Sequence, residues 1–124
     1  MDRDEVVAWV EAYAAAWRTP GVAPLADLFT ADARYLVSPW KDPIVGLEAI
    51  GRFWEAGRTG PDEVFELTHE VVAVEGDTAV VRVAVDYGTG SRWKDLWVVH
   101  LDAEGRCAVF EEWPFAPGQH DGQD

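Results

Sequence analysis

The chain has 124 residues, 48% of them hydrophobic, with a formal net charge of -13 and a pI near 4.4. That length holds one domain with one core. So acidic a balance argues against nucleic acid as a partner, because phosphate contacts need clustered Lys and Arg, and against an anionic membrane surface.

The amino terminus, Met1-Asp2-Arg3-Asp4-Glu5, is acidic and no long apolar run follows it. No signal peptide and no membrane span are expected, and the expected location is cytoplasmic. The pattern then predicts a helix from about Asp4 to Arg18, capped by Asp2 or Asp4. Val6, Val10, Tyr13 and Trp17 form a narrow apolar stripe at helical spacing, with Trp9 at its edge. Thr19-Pro20-Gly21 ends this helix. Pro24 starts a second, with Leu25, Leu28 and Phe29 on its buried side and Thr30-Ala31-Asp32 closing it. Ala33 to Ser38 reads as a short strand broken by Pro39, and Trp40 to Val45 as an extended edge segment. Gly46 opens a third helix with Leu47, Ile50, Phe53 and Trp54 on its inner face. Gly57 caps that helix, and Thr59-Gly60-Pro61 is a loop.

Four strands follow, at Glu63–Val74, Ala79–Asp86, Ser91–Leu101 and Arg106–Phe115, joined by turns at Glu75-Gly76-Asp77, Tyr87-Gly88-Thr89-Gly90 and Asp102-Ala103-Glu104-Gly105. Helices followed by antiparallel strands make an α+β domain over residues 1–116, with a flexible tail over 117–124. Cys107 is the only cysteine, so no intrachain disulfide forms, and its strand position predicts a buried, inert thiol.

Several stretches resemble the nuclear transport factor two-like superfamily, and its SnoaL-like proteins in particular. They are Tyr13-Ala14-Ala15-Ala16-Trp17, Leu25-Ala26-Asp27-Leu28-Phe29-Thr30-Ala31-Asp32-Ala33, Ile44-Val45-Gly46-Leu47-Glu48-Ala49-Ile50 and Leu101-Asp102-Ala103-Glu104-Gly105-Arg106. The resemblance implies a cystatin-like cone: a curved, largely antiparallel sheet wrapped around the first helix, with two further helices and a pocket between sheet and helix. It also implies a homodimer through the sheet face. Tyr13 lies where ketosteroid isomerases of the superfamily place a hydrogen-bond-donating tyrosine. Their catalytic base would fall near Val37-Ser38 and their second acid on Trp97, so steroid-isomerase chemistry is not carried over. Limonene epoxide hydrolases of the superfamily hold an arginine between two strand carboxylates, which Arg82, Asp95 and Glu112 would imitate.

The residues themselves point to the last hairpin. A turn at Asp102 to Gly105 pairs Leu101 with Arg106, and counting outward sets Trp97 against Phe110 and Asp95 against Glu112. Two carboxylates then meet on an aromatic face, where desolvation and mutual repulsion raise their pKa values. A slip of one residue would turn Glu111 inward instead. If Asp86 pairs with Ser91, Arg82 lies opposite Asp95. Against this, Val81, Val83 and Val85 are the apolar face of that strand, and burying them exposes Arg82 unless they pack on a second subunit. His100 is expected on the convex face.

The candidate catalytic residues are therefore Glu112, Asp95, Arg82 and Tyr13. Trp17, Trp97, Phe110, Trp40, Trp54 and Val99 are the candidate ligand contacts. No metal or other cofactor is expected. The ligand class is a small, mostly hydrophobic molecule with one polar group. Two functions follow. One is carboxylate acid–base catalysis as an isomerase, cyclase or epoxide hydrolase. The other is a non-catalytic binding or accessory dimer.

Overall fold

The computed structural model describes residues 1–58, 64–120 and 123. Helix α1 spans Arg3–Arg18. Asp2 caps it in a reciprocal box: the Glu5 amide donates to Asp2 Oδ1 and the Asp2 amide to Glu5 Oε2, both at 2.9 Å. Helix α2 is one turn, Leu25–Leu28, and α3 runs Leu47–Ala56. Six strands form one curved, unclosed sheet: β1 Phe29–Leu36, β2 Ile44–Val45, β3 Glu66–Glu75, β4 Thr78–Asp86, β5 Arg92–Leu101 and β6 Cys107–Phe115. Their order is β2-β1-β6-β5-β4-β3. Among the described strands only the β1–β6 pair is parallel, which places the first strand beside the last.

The sheet folds over α1, and the helix stripe packs against its concave face. Val6 and Val10 are fully buried. Trp9, expected at the stripe's edge, is central: it is 4% exposed, packs edge-on against Trp97 and Phe29, and donates to the Leu28 carbonyl at 3.0 Å. Val81 and Val83 of β4 and Val99 of β5 complete the core. Val81 and Val83 are therefore used within this chain and are not a surface for a second subunit. Cys107 is fully buried, as its strand position predicts, and burial pushes its thiol up to about 12.

Some local expectations differ. The strand expected at Ala33–Ser38 starts earlier, at Phe29, directly from α2. The extended segment Trp40 to Val45 is strand only at Ile44–Val45, because Pro39 and Trp40 turn the chain. The loop expected at Thr59-Gly60-Pro61 and the strand start at Glu63 lie outside the described residues, as do Asp121, Gly122 and Asp124 of the expected tail.

Candidate active site

The register of the last hairpin decides what faces the cone's interior. The turn is tighter than expected: the Asp102 amide donates to the Arg106 carbonyl at 2.8 Å, and Gly105 takes a left-handed φ of +83°. Leu101 therefore pairs with Cys107, not Arg106. A bulge follows, so that His100 pairs with Val109. The two one-residue shifts add. Glu112 lies opposite Trp97, and Asp95 opposite Pro114. Asp95 and Glu112 are not directly opposed, yet a shift of two leaves both on one face. They are diagonal neighbours, a separation of about 7–8 Å between Cα atoms.

The β4–β5 loop is one residue off the expected count. The Tyr87 amide donates to the Ser91 carbonyl at 3.0 Å, and Asp86 pairs with Arg92. A shift of one exchanges the faces. Val83 therefore lies beside Asp95, while Arg82 pairs with Leu96 on the outer face and binds Glu70 there. Arg82 does not join the carboxylates, and the epoxide-hydrolase arrangement is not formed. His100 is on the same outer face, its Nδ1 2.9 Å from Thr78 Oγ1.

The concave face and the helices enclose a cavity of about 410 Å³. Tyr13 and Trp17 of α1, Tyr35 of β1, Trp54 of α3, and Trp93 and Trp97 of β5 wall it with rings. Among the described residues, Asp95 and Glu112 are its carboxylates, and no Lys, Arg or His lines it. Of the expected ligand contacts, Trp17, Trp54 and Trp97 line it. Phe110 and Val99 are fully buried behind the lining and support it. Trp40 is 94% exposed and takes no part, because the turn after Pro39 carries it away from the sheet.

Glu112 is hydrogen-bonded inside the cavity. Tyr35 donates its hydroxyl to Glu112 Oε2 at 3.2 Å. Burial raises the Glu112 carboxyl to about 7, helped by the charge of Asp95 and opposed by the Tyr35 bond. Burial likewise raises Asp95 to about 6, against a 3.2 Å bond that its Oδ2 accepts from Trp97 Nε1. Both tyrosine hydroxyls are held well above their ordinary range, first by burial and then by the nearby Glu112 charge. They stay protonated and remain donors. Two buried polar atoms have no hydrogen-bond partner among the described residues: Asp95 Oδ1 and Trp54 Nε1.

The mouth of the cavity is braced by two arginines. Arg58 donates to the Trp17 carbonyl at 2.7 Å, bonds Ala16 and Gly21 carbonyls and Glu55, and stacks 4.8 Å from the Trp17 ring. It thereby ties the end of α3 to the carbonyl end of α1. Arg18 donates to the Phe65 carbonyl at 3.0 Å and lies 4.2 Å from that ring's centre. Trp17 Nε1 in turn donates to the Tyr87 hydroxyl at 3.0 Å. Tyr35, Phe65 and Tyr87 had no site role in the sequence reading. Tyr35 is the main omission, and its alternation with Ala33 in one strand is the signal that places it inward.

A family model described as the SnoaL-like domain matches residues 10–110. The chain belongs to the SnoaL-like family. No curated protein sequence matches this SnoaL-like chain. Solved structures do, at identities that speak for the fold alone. An NTF-2-like protein of unknown function from Burkholderia xenovorans LB400 is 14% identical, with a TM-score of 0.70 over 97% of this chain and 90% of the other. A putative ketosteroid isomerase from Kribbella flavida is 19% identical, with a TM-score of 0.68 over 95% and 82%. A protein of ketosteroid isomerase-like fold from Catenulispora acidiphila, solved in complex with trimethylamine, is 17% identical, with a TM-score of 0.61 over 85% and 83%.

Proposed function

We propose that the cavity binds a small, largely hydrophobic molecule, that Asp95 holds its polar group, and that Glu112 exchanges a proton with it. The observation that carries this is Glu112 itself: a carboxyl at about 7, bonded to Tyr35, in an aromatic cavity of about 410 Å³. A group titrating there can both accept and return a proton near neutral pH. Tyr13 supplies a neutral donor toward charge that develops on a ligand oxygen, while Tyr35 donates to Glu112. With Arg82 on the outer face, proton transfer on a ketone or polyketide-like ring is favoured over epoxide opening. The trimethylamine complex of the Catenulispora acidiphila protein supports small-molecule binding in this fold.

The test is a screen of cyclic ketones by NMR for binding and for exchange of the hydrogens next to the carbonyl. Exchange should rise through pH 7 in the wild type and vanish in Glu112→Gln. Exchange that survives in Glu112→Gln would refute the role of Glu112. Binding without any exchange, unchanged in the variant, would make this a binding protein.

A further inference from the structure

Asp95 presents an unusual electrostatic problem. Its Oδ2 accepts from Trp97 Nε1, but its Oδ1 is buried with no hydrogen-bond partner among the described residues. A buried carboxylate oxygen left in that state is costly and calls for a donor or a cation. The described residues of the cavity's lining supply no basic side chain. The arginines that touch its aromatic walls are already committed, Arg58 to Glu55 and three carbonyls, Arg18 to the Phe65 carbonyl and ring.

The rings decide between a neutral donor and a cation. Trp93 and Trp97 share the strand face of Asp95, and Tyr13, packed on Trp97 at 4.6 Å between ring centres, and Trp54 line the same cavity. Aromatic rings attract cations through their quadrupole, Trp most strongly, and they do so best where water is excluded. A neutral hydroxyl or amide gains nothing comparable from them. We infer that the cavity takes a hydrophobic organic cation, its ammonium group set against Asp95 Oδ1 and the surrounding rings. With its carboxyl at about 6, Asp95 is mostly ionised at neutral pH, which suits this role. Glu112 is left to the proton exchange. The assignment rests on the cavity being the ligand site, and it names the class of ligand that the site selects.

The experiment compares phenyltrimethylammonium with tert-butylbenzene, which has the same shape with carbon in place of the charged nitrogen. Quenching of tryptophan fluorescence in the full chain at pH 8 reads both affinities. The cation should bind at least about tenfold more tightly, the effect of one well-placed cation–π contact or buried charge pair. Asp95→Asn should remove that preference and still bind tert-butylbenzene. If Asp95→Asn does not fold, the wild type at pH 5 replaces it: Asp95 and Glu112, the carboxyls facing the cavity, are protonated there, and the preference should shrink. Equal affinities, or tighter binding of tert-butylbenzene, overturn the cation while the cavity remains the ligand site. A preference that survives in folded Asp95→Asn at pH 8, where Glu112 is also ionised, overturns the placement at Asp95, whatever pH 5 does. If neither compound binds, the inference and the ligand-site proposal fall together.

Discussion

Replacing Glu112 by Gln should make the protein more stable at pH 8 while removing its proposed chemistry. The sign follows from linkage. The Glu112 carboxyl is raised from an ordinary 4.5 to about 7 in the folded state. Between those values the folded chain holds a proton that the unfolded chain has released, so stability falls as pH rises through that window. Asp95, raised from 3.8 to about 6, adds a fall of the same sign at lower pH. The Glu112 shift is worth up to about 3 kcal/mol, at roughly 1.4 kcal/mol per pKa unit. Glutamine keeps the shape and an acceptor for the Tyr35 hydroxyl but carries no charge to desolvate. Urea denaturation of both proteins at pH 5 and pH 8 checks this. The variant should match the wild type within about 1 kcal/mol at pH 5 and exceed it by up to about 3 kcal/mol at pH 8. A pH-independent difference, or a variant less stable at pH 8, would refute a buried carboxyl at this position.

Tyr35→Phe removes the bond that lowers the Glu112 carboxyl, so its titration by carbon NMR should move upward by about one unit, the lower end of a charge-assisted bond. Arg82→Ala should leave cavity binding unchanged and cost no more than about 0.5 kcal/mol in denaturation, because its pair with Glu70 is exposed. Cys107, fully buried and raised to about 12, should resist a thiol reagent in the folded protein at pH 8 and react once urea unfolds it.

The order of helices and strands was legible because helical and strand periods announce themselves locally. The inward face of Asp95 and Glu112 was legible for a less secure reason: the turn at Asp102 and the bulge after Leu101 each displaced the count by one, and the errors restored the face. Arg82 met only one such error, at the Tyr87–Ser91 loop, and moved to the other side of the sheet. Tyr35 was illegible as a partner of Glu112 because β1 meets β6 across 77 residues of chain, and no local pattern encodes a parallel pairing of that span. Trp40 was misplaced because its bulk argued for a wall, while the turn at Pro39 sends it outward.

The bulge between β5 and β6 gives the site a parity. Closing that hairpin costs one odd step, and the bulge at Ala108 supplies a second. Their sum is even, so Glu112 points into the cone. Evolution or an engineer can therefore lengthen or shorten this hairpin by two residues and keep the carboxyl inside. Drawing Ala108 into the ladder, with no residue lost, would set Glu111 opposite Trp97 and turn Glu112 toward the outside, whereas deleting Ala108 takes out the bulge and leaves Glu112 where it is.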